Sequence, residues 1–330
     1  MPVIDLHNHM IAPEVVAFLE REGKHFETRI IERDGGRFFL IQETATRPIN
    51  DKMLRPEVRL QDMAAEGVGV QAVSCVPFIM YPDVAPEHGL AIAQVNNDAL
   101  AAVGARDPAH FRPLASAPLQ APELAAKELE RVAKLGLRGV EIPPKVGEQG
   151  LDEPQFEPFW AAAEALDLLV CIHPFEAAPR GALTRYNFGN LVGNLYDTGL
   201  AAALLIYGGV LERHPRLRVV LFHAGGAFPS LIGRLDNGYR LGAGRGLKIS
   251  RPPSSFVNQY WFDTIAYNPP MLGYLAATYG SDKLVLGSDY PLGGGPPHPV
   301  DEVRRVGFAP AVEAAVLGGN AARLLQIEAA

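Results

Sequence analysis

The run Val3-Ile4-Asp5-Leu6-His7-Asn8-His9 puts two imidazoles two residues apart at the end of an apolar, strand-compatible stretch. A strand points alternate side chains to the same side, so Val3, Asp5, His7 and His9 are expected to share one face. Two neutral imidazoles so placed can offer adjacent nitrogens to a single ion of the zinc class. Three further polar residues close apolar runs downstream: His173 in LLVCIHP (168–174), His223 in LRVVLFHAG (217–225) and Asp289 in KLVLGSDYP (283–291). The same alternation groups His173 with Leu169 and Cys171, His223 with Val219 and Leu221, and Asp289 with Val285 and Gly287. An imidazole or carboxylate among apolar neighbours is costly unless paired or coordinated, and a shared metal removes that cost.

These residues need elements that bring their ends together. The other strand-like runs are VQAVSCV (70–76), FRPLASAPL (111–119), LRGVEIP (137–143) and YWFDTI (260–265), making eight in all. Helical patterns lie between them, among them PELAAKELERVAKLG and LAAALLIYGGVLERHP, several closed by glycine or proline. Regular alternation of strand and helix argues for a parallel sheet, and eight units argue for a closed (β/α)8 TIM barrel. In that architecture functional groups gather at the C-terminal ends of the strands, where the polar residues named above stand. The first strand runs into histidines and lacks G-x-G-x-x-G, which argues against a dinucleotide-binding turn. Asp34-Gly35-Gly36 separates two β-prone arms, so residues 25–47 are expected to form a small β-hairpin insertion after the first strand, within one domain spanning 1–330.

Composition narrows the class further. The chain has 330 residues, 48% hydrophobic and 20% charged, which is ample for one large core in an ordinary water-soluble protein. A net charge of −7 gives no electrostatic case for nucleic acid or for an anionic membrane surface. Cys75 and Cys171 both sit in apolar runs and read as buried thiols, which suits a reducing cytoplasm. No signal-like start and no apolar run of membrane length is evident.

Taken together, Asp5-x-His7-x-His9, His173-Pro174, His223-Ala224-Gly225-Gly226 and Gly287-Ser288-Asp289-Tyr290-Pro291 resemble the amidohydrolase superfamily. Within it the order and spacing are most similar to the decarboxylase branch typified by 2-amino-3-carboxymuconate-6-semialdehyde decarboxylase. The resemblance runs over almost the whole chain, including Arg47-Pro48 and Gly233-Arg234-Leu235-Asp236-Asn237. It implies that His7, His9, His173 and Asp289 hold one divalent ion, zinc by preference and manganese as the alternative, with a water in the open position. It implies that His223, with Asp289, handles the proton, that Arg47 grips a substrate carboxylate, and that Arg234 reaches the neighbouring site of a homodimer. Asp5 is expected beside the ligands on the inward face, as a supporting partner.

The chain departs from the branch at the pocket wall. Phe175 stands two positions after His173, where tryptophan is frequent, and Leu292 follows Pro291, where a substrate-stacking phenylalanine is usual. Lys145 lies beyond the fourth strand and after two prolines, so it is expected at the surface or facing substrate and not as a bridge between two ions. The activity implied is a non-oxidative decarboxylation of a small unsaturated or aromatic carboxylic acid. The alternative is a hydrolase or hydratase that uses the same activated water on a lactone, an amide or an unsaturated acid.

Overall fold

In the computed structural model, which describes residues 1–43, 45–175, 181–242, 246–293 and 295–328, the eight apolar runs form one ring of parallel strands. The first is β1 (Ile4–Met10). An antiparallel sheet of β2 (Thr28–Arg33), β3 (Gly36–Ile41) and β4 (Ala45–Ile49) follows, and the ring resumes with β5 (Val70–Cys75), β6 (Ala115–Ser116) and β7 (Gly139–Ile142). A two-stranded ribbon, β8 (Lys145–Val146) and β9 (Gln149–Gly150), stands outside it. The remaining ring strands are β10 (Leu169–Ile172), β11 (Arg218–Leu221), β12 (Tyr260–Asp263) and the pair β13 (Leu284–Val285) and β14 (Gly287–Tyr290), one strand interrupted at Leu286. β14, β1 and β5 are hydrogen-bonded neighbours, and β6, β7, β10, β11, β12 and β13 form the rest in that order. A parallel bridge between Gln71 and Phe111 joins the two arcs, and the amide of Leu6 donates to the Leu286 carbonyl at 2.8 Å. The chain is therefore a (β/α)8 TIM barrel.

Three apolar clusters stabilise it. The largest lies between strands and helices and holds Val140, Ile142, Val219 and Leu221 together with Phe159, Trp160 and Leu205. A second, inside the ring, holds Leu6, Ala72, Cys171, Val220, Phe222 and Val285, and Ala321 and Leu325, in and just after the helix Asn320–Leu324, close its floor. The third sits where β1 and β5 end, and combines Val16 and Leu19 with Phe26, Phe39, Ile79 and Tyr81. Through Phe39 the antiparallel sheet is anchored over the C-terminal side of the barrel, next to strand ends that carry the candidate ligands.

That sheet extends further than the two arms visible in the sequence. Its hairpin turns at Asp34 and Gly35, both at positive φ (50° and 76°), and β4 then pairs with β3 and places Arg47 opposite Phe39. Pro48 is compatible with this strand because β4 is at the edge, where a missing amide costs no ladder bond. Thr44, within the expected insertion, lies outside the described residues.

Two face assignments drawn from simple alternation are corrected here. In β1, Ile4 and Leu6 belong to the interior cluster, yet the ring of His7 also stacks on the interior Phe222 at 3.8 Å. The pairing of β1 with β14 shifts register between His7 and Asn8, and with β5 between Asp5 and Asn8, so the alternation breaks around His7. Asp5 consequently lies off the ligand face, bonded to Ser288 Oγ at 2.6 Å and to Gln71 Nε2 at 3.3 Å. In β11, Val219 and Leu221 face the helices while Val220 and Phe222 face inward. His223 does not continue that strand: its φ of 55° and the 54° of Ala224 turn the chain sharply and carry the imidazole to the mouth.

Candidate metal centre

Each candidate ligand has one ring nitrogen committed to an acceptor. His7 Nδ1 donates to Asp263 Oδ2 at 2.5 Å, His9 Nδ1 to the Cys75 carbonyl at 2.9 Å, and His173 Nδ1 to the Pro174 carbonyl at 2.5 Å. Carbonyls and carboxylates only accept, so each ring keeps a proton on Nδ1 and, when neutral, presents its lone pair at Nε2. The three Nε2 atoms lie around one oxygen: Asp289 Oδ1 is 3.1 Å from that of His9, 3.5 Å from that of His7 and 4.0 Å from that of His173. A tetrahedral ion with ligand bonds of about 2.0–2.1 Å separates its donors by about 3.3 Å, so these spacings suit one small divalent cation. Among the described residues, His7 Nε2 and His173 Nε2 are buried with no hydrogen-bond partner, as expected of atoms reserved for a metal.

His223 stands slightly apart. Its Nε2 is 3.9 Å from the other oxygen of Asp289, Oδ2, and its side chain is partly exposed where the ligand rings are buried. Among the described residues, His7, His173, His223 and Asp289 offer ligand atoms that all lie within 4.8 Å of one another. His9 joins through its short approach to Asp289. Four histidines singled out from the sequence thus converge on the Asp289 carboxylate, with His223 on its outer side.

The electrostatics agree with coordination. Burial would raise the Asp289 carboxyl, but the imidazoles of His173, His223, His7 and His9 hold it well below the usual carboxylate range. Burial, added to by neighbouring imidazoles, pushes His173 well below its ordinary value and keeps it a neutral donor. His7 is pushed up to about 10 despite its burial, because Asp263 and Asp289 stabilise its charged form. A proton at His7 therefore competes with a cation for the same nitrogen.

The other expected residues occupy less committed places. Phe175 is partly buried just past His173, and Leu292 packs against the apolar cluster around Phe39 and Tyr81. Arg47 is exposed on β4, and Arg234 is exposed on the helix Phe228–Arg240. Lys145 Nζ pairs with Asp197 Oδ2 at 2.9 Å, and it is not among the gathered metal donors.

Three supporting residues escaped the sequence reading. Asp263, at the end of β12, accepts from His7 and from the amides of His223 and Ala224. Glu141, in β7, is fully buried, 3.9 Å from His9 Nδ1, and burial raises its carboxyl. Both are acidic residues near the end of a barrel strand, the same signal that singled out Asp289. Arg59 is fully buried and donates to the His9 carbonyl and to Asn8 Oδ1, each at 2.7 Å, so it anchors the histidine segment from outside the ring. Nothing in a helical pattern such as RLQDMAAEG signals that duty.

Comparison with known proteins agrees with this geometry. The family described as Amidohydrolase matches residues 4–327. A 2-amino-3-carboxymuconate-6-semialdehyde decarboxylase of Dictyostelium discoideum is 30% identical over 98% of this chain and 92% of its own length. The crystal structure of 5-carboxyvanillate decarboxylase from Sphingomonas paucimobilis superposes with a TM-score of 0.84 at 27% identity, covering 99% of this chain and 100% of that one. A dihydroxybenzoic acid decarboxylase from Polaromonas sp. JS666, solved with bound manganese and 2-nitroresorcinol, shares the fold with a TM-score of 0.81 at 22% identity over 100% of this chain and 98% of its own. The chain belongs to the amidohydrolase family, in the branch that holds these decarboxylases.

Proposed function

We propose that this protein removes carbon dioxide, without oxidation, from a small aromatic or unsaturated carboxylic acid. The observation that carries the reading is the convergence of three imidazoles, each fixed with its proton on Nδ1, on Asp289, with His223 just beyond. The decarboxylase relatives favour carbon loss over the hydrolase or hydratase alternative, which would need the same donors.

His7, His9, His173 and Asp289 would hold one divalent ion. When bound, it supplies positive charge that orients the acid and stabilises negative charge developing during reaction. Two or three imidazoles with one carboxylate suit zinc; the manganese of the Polaromonas protein makes that ion the alternative to test. Arg47 is assigned the substrate carboxylate, because a planar guanidinium pairs with it through two parallel hydrogen bonds. Phe175 and Leu292 are assigned the apolar pocket wall. Protonated His223 donates to the substrate carbon that bears the carboxylate. The carbon–carbon bond then breaks, its electron pair stays with that carbon, and carbon dioxide leaves. Asp289 Oδ2 lies 3.9 Å from His223 Nε2, on the side from which the proton would be passed.

The test is a panel of substituted benzoates, muconates and lactones, followed for carbon dioxide release and for ring opening with zinc or manganese added. Carbon loss from an acid is the expected result; ring opening without it would favour the hydrolytic alternative.

We also assign the whole chain to one domain and the protein to the cytoplasm as a homodimer. No helix among the described residues is long and apolar enough to cross a membrane, and both cysteines are free and buried. Leu191, Val192, Leu195 and Tyr196 are exposed on consecutive helical turns, an apolar face suited to a second copy. Mixing Arg234→Ala and His223→Ala chains should restore activity if Arg234 acts across that interface.

A further inference from the structure

Asp263 is fully buried and holds four N–H groups with two oxygens. Its Oδ2 accepts from His7 Nδ1 at 2.5 Å and from the His223 amide at 2.9 Å. Its Oδ1 accepts from the Ala224 amide at 2.6 Å and from the Ile265 amide at 3.0 Å. Two of these amides belong to the turn in which His223 and Ala224 adopt positive φ, a conformation that non-glycine residues keep only when surrounding contacts hold them there. One carboxylate, 256 residues from His7 in sequence, therefore touches a metal-facing histidine and the backbone that aims the proton-handling histidine.

We propose that Asp263 is the positioning residue that couples these two histidines. It keeps the His7 proton on Nδ1, so that Nε2 stays free for a cation, and it pins the turn at His223 and Ala224. Neither Arg59 nor Glu141 has this double reach: Arg59 bonds the backbone of the histidine segment, and Glu141 remains 3.9 Å from its nearest histidine nitrogen. Gly287 shows how closely this arrangement is built. A Cβ there would stand 2.9 Å from His7 Cβ and 3.0 Å from Asp263 Cβ, so only glycine lets β14 pass between the pair.

The chemistry of an Asp263→Asn substitution follows from counting donors. Every position around the carboxylate demands an acceptor, and the amide offers only one oxygen; its NH2 must face two N–H groups whichever way it lies. Backbone amides cannot change role. His7 can, by moving its proton to Nε2 and accepting from the new NH2 at Nδ1. That relieves the clash at His7, leaving only the His223 amide against the NH2, and covers the metal-facing nitrogen with a hydrogen. The loss should therefore act through His7 and should leave the barrel folded.

This inference rests on the metal reading given above, and the experiment separates the two. The zinc dissociation constant is measured by chelator competition for the full-length wild type, Asp263→Asn, His7→Ala and the double variant. A wild type without zinc affinity would overturn the metal reading itself. If the wild type binds, Asp263→Asn should bind about 10–100-fold more weakly, and the double variant should lie within about threefold of His7→Ala, since two changes acting on one interaction do not add. An Asp263→Asn chain within threefold of wild type overturns the proposal, and so does a double variant that loses the two factors in full. Should Asp263→Asn fail to fold, 15N spectra of the histidine rings in the zinc-loaded wild type decide. A proton on His7 Nδ1, assigned by its disappearance in His7→Gln, supports the proposal; its absence, or zinc bound through Nδ1, refutes it.

Discussion

At the scale of single residues, the proposed roles divide the site into groups that would hold the ion and one that would move a proton. His9 is buried, fixed at Nδ1 by the Cys75 carbonyl, and 3.1 Å from Asp289. His223 is more exposed and reaches only the outer oxygen of that carboxylate. Replacing His223 by Asn should accordingly lower kcat by about 10²–10⁴, the range for losing a proton-transfer group, with metal content near that of wild type. Replacing His9 by Asn should cost metal first, measured by metal analysis after gel filtration. A His223→Asn protein that emerges stripped, beside a loaded His9→Asn, would exchange their roles. The proton on His7 adds a pH dependence. With His7 pushed up to about 10, its neutral form, the one that would bind metal, becomes scarcer as pH falls. Metal affinity should therefore rise with pH across the neutral range, by up to about tenfold per unit from this group alone, with a proton released on binding. A flat profile in metal titrations at pH 6, 7 and 8 would contradict that coupling.

At the scale of elements, strand ends and turns decide which side chains arrive together. β14 must pass close to both His7 and Asp263, and Gly287 is the residue that permits it. A Gly287→Ala change adds a Cβ against two other Cβ atoms, which cannot rotate away. Overpacking of that kind costs about 1–3 kcal/mol, and it should appear as a lowered Tm together with weaker metal binding. Tm falling while metal affinity stays unchanged would mean that the strain is absorbed away from the site. Much at this scale is legible from sequence. The eight strand-like runs and the ends carrying His173 and Asp289 follow from apolar patterning, because a barrel strand buried on both faces reads as a nearly unbroken hydrophobic stretch. The register shift in β1 and the positive-φ turn at His223 are not legible in this way. Period-two counting assumes a regular strand, and both are local breaks stabilised by partners distant in the chain. The third strand of the small sheet was hidden for a related reason: Pro48 argues against a strand until its edge position is known.

At the scale of the whole molecule, closing the ring converts dispersed residues into one cup. A cation that binds only the folded chain shifts the folding equilibrium toward it. At a concentration about a hundredfold above its dissociation constant, it should add about 2.7 kcal/mol, which for a chain of this length raises Tm by about 4 °C. Calorimetry of chelator-treated protein, with and without zinc, checks this; an unchanged Tm at saturating zinc would show that the imidazoles do not hold the ion. The types of donor, their order along the chain and the barrel that gathers them were determined by the amino-acid sequence alone, because hydrophobic periodicity specifies the strands and a (β/α)8 ring necessarily collects their C-terminal ends. Only the tertiary structure decided that Asp5 turns away, that His223 swings in on a left-handed turn, and that Asp263 serves two histidines at once. Those outcomes depend on contacts between strands far apart in the chain, where the orientation of one side chain is set by an acceptor that no local pattern can reveal.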